Sequence, residues 1–372
     1  MTKRPTVYDV AQAAGVSIAT VSFTFRQPER VRESTRQTVV EAARRLNYVP
    51  SASARGLAHG RTGALGLYSF DMLLESDGTI SGSPAGDDPG PYFAGDVGAR
   101  AFADDADDAS FRTFPLYVDE VQRGFELECA RRGRALLIGR GPSAGGVIDI
   151  ASRVDGLAVF PGAHAAEILA QVSQRIPVVA FAMAEEPGAV HHVRVDNAQG
   201  VHELVEHLHA AHGIDQMEFV GAPETADYAE RFAGMQAALG ERGLAVPSGV
   251  LDPTPIGAQQ PFPVVRRLME TRSLPGALVC ASDQHALELV KVLAEGGLRV
   301  PADVAVTGFD GVAAGRICAP TLTTVRQPME AMGRLAVDVL MGSLDGPGSA
   351  AVDTTLPVRP LFRESCGCPA AC

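Results

Sequence analysis

The chain has 372 residues, 46% of them hydrophobic, which is too long for one ordinary compact domain and too apolar for disorder, so two or three domains are expected. No apolar run approaches the roughly 18 residues a membrane-spanning helix needs. The net charge of −12 is unevenly divided: residues 1–62 hold ten Lys or Arg and four acids, and the remainder carries −18, the pattern of a basic arm on an acidic body.

No apolar run follows Met1-Thr2-Lys3-Arg4-Pro5, so no signal peptide is expected, and the six cysteines read as reduced thiols of a cytoplasmic protein. Thr6 and Asp9 fit a capping box opening a helix with Val10, Ala11 and Ala14 on one face. Gly15 ends that helix in a left-handed turn, and Ser17 is a good N-cap for a second helix reaching about Arg26. A third helix is expected from about Glu33 to Leu46, with Val39, Ala42, Ala43 and Leu46 on its apolar face. Two short helices about a tight glycine turn, with this local charge, predict an all-α helix-turn-helix headpiece over residues 1–50.

Beyond a linker at 51–62, short apolar strands alternate with helices. Ala64–Tyr68, Ala135–Ile138, Gly156–Phe160, Val178–Phe181, Met217–Val220, Ala277–Cys280 and Val304–Gly308 read as strands, and Val118–Arg131 as an amphipathic helix. That alternation predicts α/β architecture with parallel sheets covered on both faces, in which ligands bind beyond the carboxyl ends of the strands. Residues 71–110 hold ten acids and only Arg100 as a cation. The acidic, Gly/Asp-rich segment 71–113 therefore reads as holding an insertion of about 35 to 40 residues, either disordered or serving as a lid or partner contact.

The stretches Thr6-Val7-Tyr8-Asp9-Val10-Ala11, Ala14-Gly15-Val16-Ser17, Thr20-Val21-Ser22 and Leu46-Asn47-Tyr48-Val49-Pro50 resemble the headpiece of the LacI/GalR family of bacterial regulators. Val154-Asp155-Gly156-Leu157, Val195-Asp196-Asn197, Ala281-Ser282-Asp283-Gln284, Val306-Thr307-Gly308-Phe309-Asp310 and Leu322-Thr323-Thr324-Val325-Arg326-Gln327 resemble, in order and spacing, the two-lobed periplasmic-binding-protein-like domain of the same family. That domain would span 63–364, leaving a Cys-containing tail at 365–372. The resemblance implies three crossovers between lobes, an effector in the cleft, and a homodimer on a pseudo-palindromic double-stranded operator.

Carried over by position, the second helix enters the major groove, with Ser17, Thr20 and Ser22 holding phosphates and Ile18, Ala19 and Phe23 facing bases. Thr6, Tyr8, Asn47 and Tyr48 join them on the DNA side. Phe23 departs from the family, which usually has arginine there, and predicts a half-site read by methyl contact and shape. Residues 51–58 resemble the hinge helix, placing Ala54 and Arg55 on DNA and Leu57 as a minor-groove wedge. For the effector, a sugar or related metabolite, the resemblance points to Arg231 as a grip on hydroxyl or carboxylate and to Asp310 as a charged acceptor for two hydroxyls. Phe70, Asp71 and Ser282 fall at the cleft mouth.

Other motifs are set aside. Gly139–Ala144 loosely echoes a dinucleotide loop but reads as a surface loop, because Pro142 and the lack of a clear following helix oppose it. His202, His207, His209 and His212 crowd one helix, with His191 and His192 nearby, and read as solvated or core histidines. Cys366, Cys368 and Cys372 offer three thiolates at a frayed end without a fourth ligand, so no metal or cofactor is expected. A sequence-specific regulator, by default a repressor, is thus predicted. The alternatives are a periplasmic-type solute-binding protein, which has no use for residues 1–60, and a metabolite-binding enzyme with an accessory DNA-binding arm, for which no nucleophile–base signature appears.

Overall fold

The computed structural model describes residues 5–48, 61–70, 116–141, 144–160, 165–183, 188–222, 225–256, 258, 260–346 and 350–369. The expectations placed on Val49, Pro50, Ala54, Arg55, Leu57, Asp71, the 71–113 insertion and Cys372 lie outside these residues. The chain divides into two compact units, Met1–Gly63 and Ala64–Cys372.

In the first unit, helices α1 (Val7–Ala14), α2 (Ile18–Arg26) and α3 (Glu33–Arg45) enclose a small core of Val10, Ala11, Val21, Val39, Ala42 and Ala43. The Asp9 carboxylate accepts from the Thr6 N–H and hydroxyl, both at 2.7 Å, at the start of α1. Gly15 ends α1 at φ 66°, where a side chain would be strained. Ser17 accepts from Thr20 N at 3.1 Å and so caps α2.

The second unit has two lobes. In the N-lobe, strands β1 (Ala64–Ser69), β2 (Ala135–Arg140), β3 (Gly156–Phe160), β4 (Val178–Phe181), β5 (Val190–Val195) and β10 (Asp353–Leu356) form one parallel sheet ordered β10-β5-β4-β3-β1-β2. One face packs under helices α4 (Leu116–Arg131) and α12 (Met329–Asp345). The other packs under α5 (Ala144–Ala151) and α6 (Ala165–Ser173), through Val147, Ile150, Ile168 and Leu169. Helix α5 corrects the expectation that no helix follows Gly139–Ala144. Its two glycines depress local helix propensity, and burial of Val147 and Ile150 on the sheet overrides that. Helices α4 and α12 approach closely because neither has a side chain at the crossing. A Cβ on Gly333 would lie 2.0 Å from the Val121 carbonyl oxygen, and one on Gly124 2.0 Å from that of Glu330.

In the C-lobe, β6 (Met217–Val220), β7 (Ala277–Cys280) and β8 (Ala305–Thr307) form a parallel sheet, flanked by the antiparallel pair β9 (Thr324–Arg326) and β11 (Arg359–Leu361). Helices α7 (Asn197–His212), α8 (Ala226–Glu241), α9 (Pro263–Thr271), α10 (Asp283–Glu295) and the short α11 (Ala314–Ile317) complete it. The chain passes between lobes three times: from β5 to α7, from β9 to α12, and from β10 to β11. No helix among the described residues is long and apolar enough to cross a membrane.

Candidate functional site

Helix α2 turns a polar and apolar face outward. Ser17, Ile18, Ala19 and Phe23 are exposed, Thr20 and Ser22 half-buried, while Val21 is fully withdrawn into the core. Val21 anchors the helix while the residues around it remain available. The Arg30 guanidinium lies over the Phe23 ring at 4.7 Å, so a cation stands next to the position where the family usually has arginine. Tyr8 is 67% exposed on α1, Thr6 and Tyr48 are half-buried and Asn47 is exposed with φ 52°.

The second site lies where strands of the C-lobe end and helices begin. Arg231, on α8, is 2% exposed. Its Nε donates to Asn197 Oδ1 at 2.9 Å and its Nη1 to the Ala281 carbonyl at 2.6 Å, fixing the plane of the guanidinium. Asp310 Oδ1 and Asp227 Oδ2 stand farther off, each at 3.5 Å. The cation stands over the Phe309 ring at 3.8 Å and over that of Tyr228 at 5.3 Å. Asn197 donates from Nδ2 to Asp227 Oδ1 at 3.1 Å and Glu230 Oε2 at 2.8 Å, and Gln327 donates to Asp310 Oδ1 at 2.8 Å. Each partner is delivered by a strand–helix junction: Asn197 after β5, Ala281 after β7, Asp310 after β8 and Gln327 after β9. Strand-end groups converge in this way at ligand sites of α/β folds.

One buried cation faces two carboxylates, and the electrostatics reflect the mismatch. Burial pushes the Asp310 carboxyl up to about 7, with Arg231 opposing it, and raises Asp227 in the same way. Burial drives the Tyr117 phenol far up, and the Asp227 and Asp310 carboxylates push it in the same direction. Tyr117 belongs to α4 of the N-lobe, so the electrostatic field of the C-lobe cluster reaches across to the other lobe. Its ring meets Phe160 edge-on at 5.9 Å, and Phe160 stacks on Phe181 at 4.8 Å, which gives the N-lobe side an aromatic wall. Burial lifts the Tyr228 phenol to about 12 and holds the His285 imidazole down at about 4.

Of the cleft residues expected from sequence, Arg231 and Asp310 come together. Ser282 is buried beside them as the N-cap of α10, its hydroxyl 2.8 Å from His285 Nδ1. Phe70 is placed in the N-lobe core, meeting Tyr68 edge-on at 5.2 Å, on the sheet face away from Phe160 and Tyr117. Tyr117, Asn197, Asp227, Phe309 and Gln327 also join the site, and none of them is among the site residues expected from sequence. The Asp227–Arg231 spacing of one helical turn was a visible signal for one of them.

Residues 6–51 match the family model described as bacterial regulatory proteins, lacI family, and residues 205–366 match the periplasmic binding protein-like domain. The chain is 29% identical over 351 residues to the HTH-type transcriptional repressor PurR of Haemophilus influenzae, covering 90% of each. It is 28% identical over 363 residues to catabolite control protein A of Priestia megaterium, covering 97% of this chain and 98% of that one. The fold is shared with the lac repressor dimer bound to operator and the anti-inducer ONPF, with a TM-score of 0.74, 23% identity and coverage of 98% and 99%. It is also shared with the CelR–cellobiose complex, with a TM-score of 0.62, 22% identity and coverage of 97% and 100%. A helix-turn-helix headpiece followed by a two-lobed binding domain defines a DNA-binding transcription regulator with a compartment for a small molecule. The chain belongs to the lacI family of bacterial regulatory proteins.

Proposed function

We propose that this protein is a cytoplasmic repressor, acting as a homodimer on a pseudo-palindromic operator and released or tightened by a carbohydrate effector held between the lobes. The headpiece supports DNA binding through the exposed α2 residues Ser17, Ile18, Ala19 and Phe23, with Thr20 and Ser22 beside them. The hinge residues Ala54, Arg55 and Leu57 retain the roles that family resemblance implies.

The observation that carries the effector reading is the Arg231 cluster. Two of the guanidinium contacts are short and hold its orientation, whereas those to Asp310 and Asp227 are long at 3.5 Å. The long contacts are the ones a ligand can exchange. Hydroxyls donating to the two carboxylates and accepting from Arg231 suit a polyol, and Tyr117, Phe160 and Phe309 supply the apolar faces on which a sugar ring rests. The solved relatives with cellobiose and with ribose bound are consistent with that chemistry. Arg231 and Asp310 are buried, so entry requires the lobes to part, and binding thereby couples to their relative angle. Ser282, buried beside the cluster, and Asp71 keep the cleft-margin role that the family resemblance implies, whereas Phe70, packed in the N-lobe core away from Phe160, supports that side of the sheet from behind.

The test is operator selection with the full chain, followed by measurement of operator affinity across a sugar panel for wild type and Arg231→Met. The variant should keep operator binding and lose the effector response. An effector response unchanged in Arg231→Met refutes the assignment.

A further inference from the structure

Outside the headpiece and the cleft, a third group of side chains meets at the far end of α7. His207 and His212 lie on that helix, and Cys366 and Cys368 come from the end of the chain, 156 to 161 residues away in the contacts that link them. Both imidazoles present Nε2 and both cysteines Sγ, and the four atoms lie within 4.8 Å of one another. His207 Nε2 is 3.1 Å from His212 Nε2, 3.6 Å from Cys366 Sγ and 3.3 Å from Cys368 Sγ. Cys368 Sγ is 3.5 Å from His212 Nε2.

Those separations have the size of tetrahedron edges. Metal–nitrogen bonds of about 2.05 Å and metal–sulfur bonds of about 2.3 Å set N···N near 3.3 Å and N···S near 3.6 Å. We propose that His207, His212, Cys366 and Cys368 form a closed Cys2His2 zinc site that fastens the C-terminal segment to helix α7.

The surroundings orient the ligands. The His207 ring stacks on Phe362 at 3.6 Å and 10°, which fixes its plane. Ser365 donates to the Val306 carbonyl at 2.6 Å and accepts from Thr323 N at 2.8 Å, and the Glu364 carboxylate accepts from Thr321 N at 2.8 Å. The residues immediately before the thiols are therefore held against the C-lobe sheet. Gly367, between the two cysteines, adopts φ 106°, and a Cβ there would lie 3.2 Å from the His212 ring. Glycine thus lets both sulfurs point to the same side while the backbone passes close to an imidazole. Neither the expected frayed tail nor the expected solvated or core histidines describe these residues: Cys366 is buried and the other three are half-buried.

Two thiolates and two neutral imidazoles suit zinc, and four protein ligands leave no open position, so the site is structural. It closes a long loop through the C-lobe and fixes the end of the helix whose first residue, Asn197, holds Arg231.

The experiment uses the untagged full-length chain purified under reducing conditions. Metal analysis should find about one zinc per chain. Cobalt substituted for it should give tetrahedral d–d bands and a thiolate-to-cobalt charge-transfer band. A Cys366→Ser/Cys368→Ser variant should lose the metal and unfold at a lower temperature that added zinc cannot restore. If that variant is too unstable to purify, the wild-type metal content and cobalt spectrum still decide the matter. A wild-type chain that neither carries zinc nor takes it up when offered overturns the proposal. So does zinc retained undiminished in the double variant, or iron or copper in its place.

Discussion

Asp310→Asn separates charge from shape in the Arg231 cluster. The replacement keeps an oxygen for the Gln327 amide, which donates to Asp310 Oδ1 at 2.8 Å, and leaves Arg231 Nη1 nearby. It removes one of two carboxylates competing for one cation. The folded-state carboxyl of Asp310 sits at about 7, above the 3.8 of an unburied aspartate, so the folded chain binds the proton more tightly than the unfolded one. The group therefore favours folding below about pH 4, and that advantage drains away as pH rises through about 7. The wild type should therefore lose roughly 2 to 3 kcal/mol through this residue between about pH 5 and pH 8. Asp310→Asn lacks that term. Urea unfolding of both proteins across that range should show the stability difference, variant minus wild type, growing by roughly 2 to 3 kcal/mol toward alkaline pH. Parallel curves would mean that Asp310 is ionised throughout and that burial does not raise its carboxyl.

Gly333→Ala should lower stability by about 2 kcal/mol, read as the urea midpoint, because overpacking at the α4–α12 crossing outweighs the gain in helix propensity; an unchanged midpoint contradicts the close-contact reading. Asp252 is fully buried and accepts from Val264 N at 2.8 Å and Val265 N at 3.1 Å at the start of α9. Asp252→Ala should therefore cost about 3 kcal/mol in thermal or chemical unfolding, and a loss below about 1 kcal/mol would show that the cap is dispensable. Phe23→Arg should shift selected operators toward guanine at the facing position by about 5- to 150-fold, whereas an identical selected sequence would place Phe23 away from the bases.

Local chemistry and periodicity are readable along the chain without its fold. Thr6, Asp9, Gly15 and Ser17 set the ends of the first two helices, and the alternation of apolar strands with helices set the parallel α/β lobes. Arg231 and Asp310 were legible as a cleft pair because their flanking motifs carry the family resemblance. Helix α5 was hidden because its glycines weaken the local signal and only burial on the sheet reveals it. Asp227 stands one helical turn from Arg231, but Tyr117, Asn197 and Gln327 had no periodic signature that marked them as partners. Their roles depend on which strand ends the topology places side by side, and three passages of the chain between lobes decide that. The same holds most strongly for His207, His212, Cys366 and Cys368. Each pair alone is too few ligands for a metal, and only the return of the chain from β10 to β11 brings the two pairs to one point. Residue type fixes which atoms can act as ligands or charges, but the distances among atoms more than 150 residues apart are fixed only when the packed core closes the loops between them.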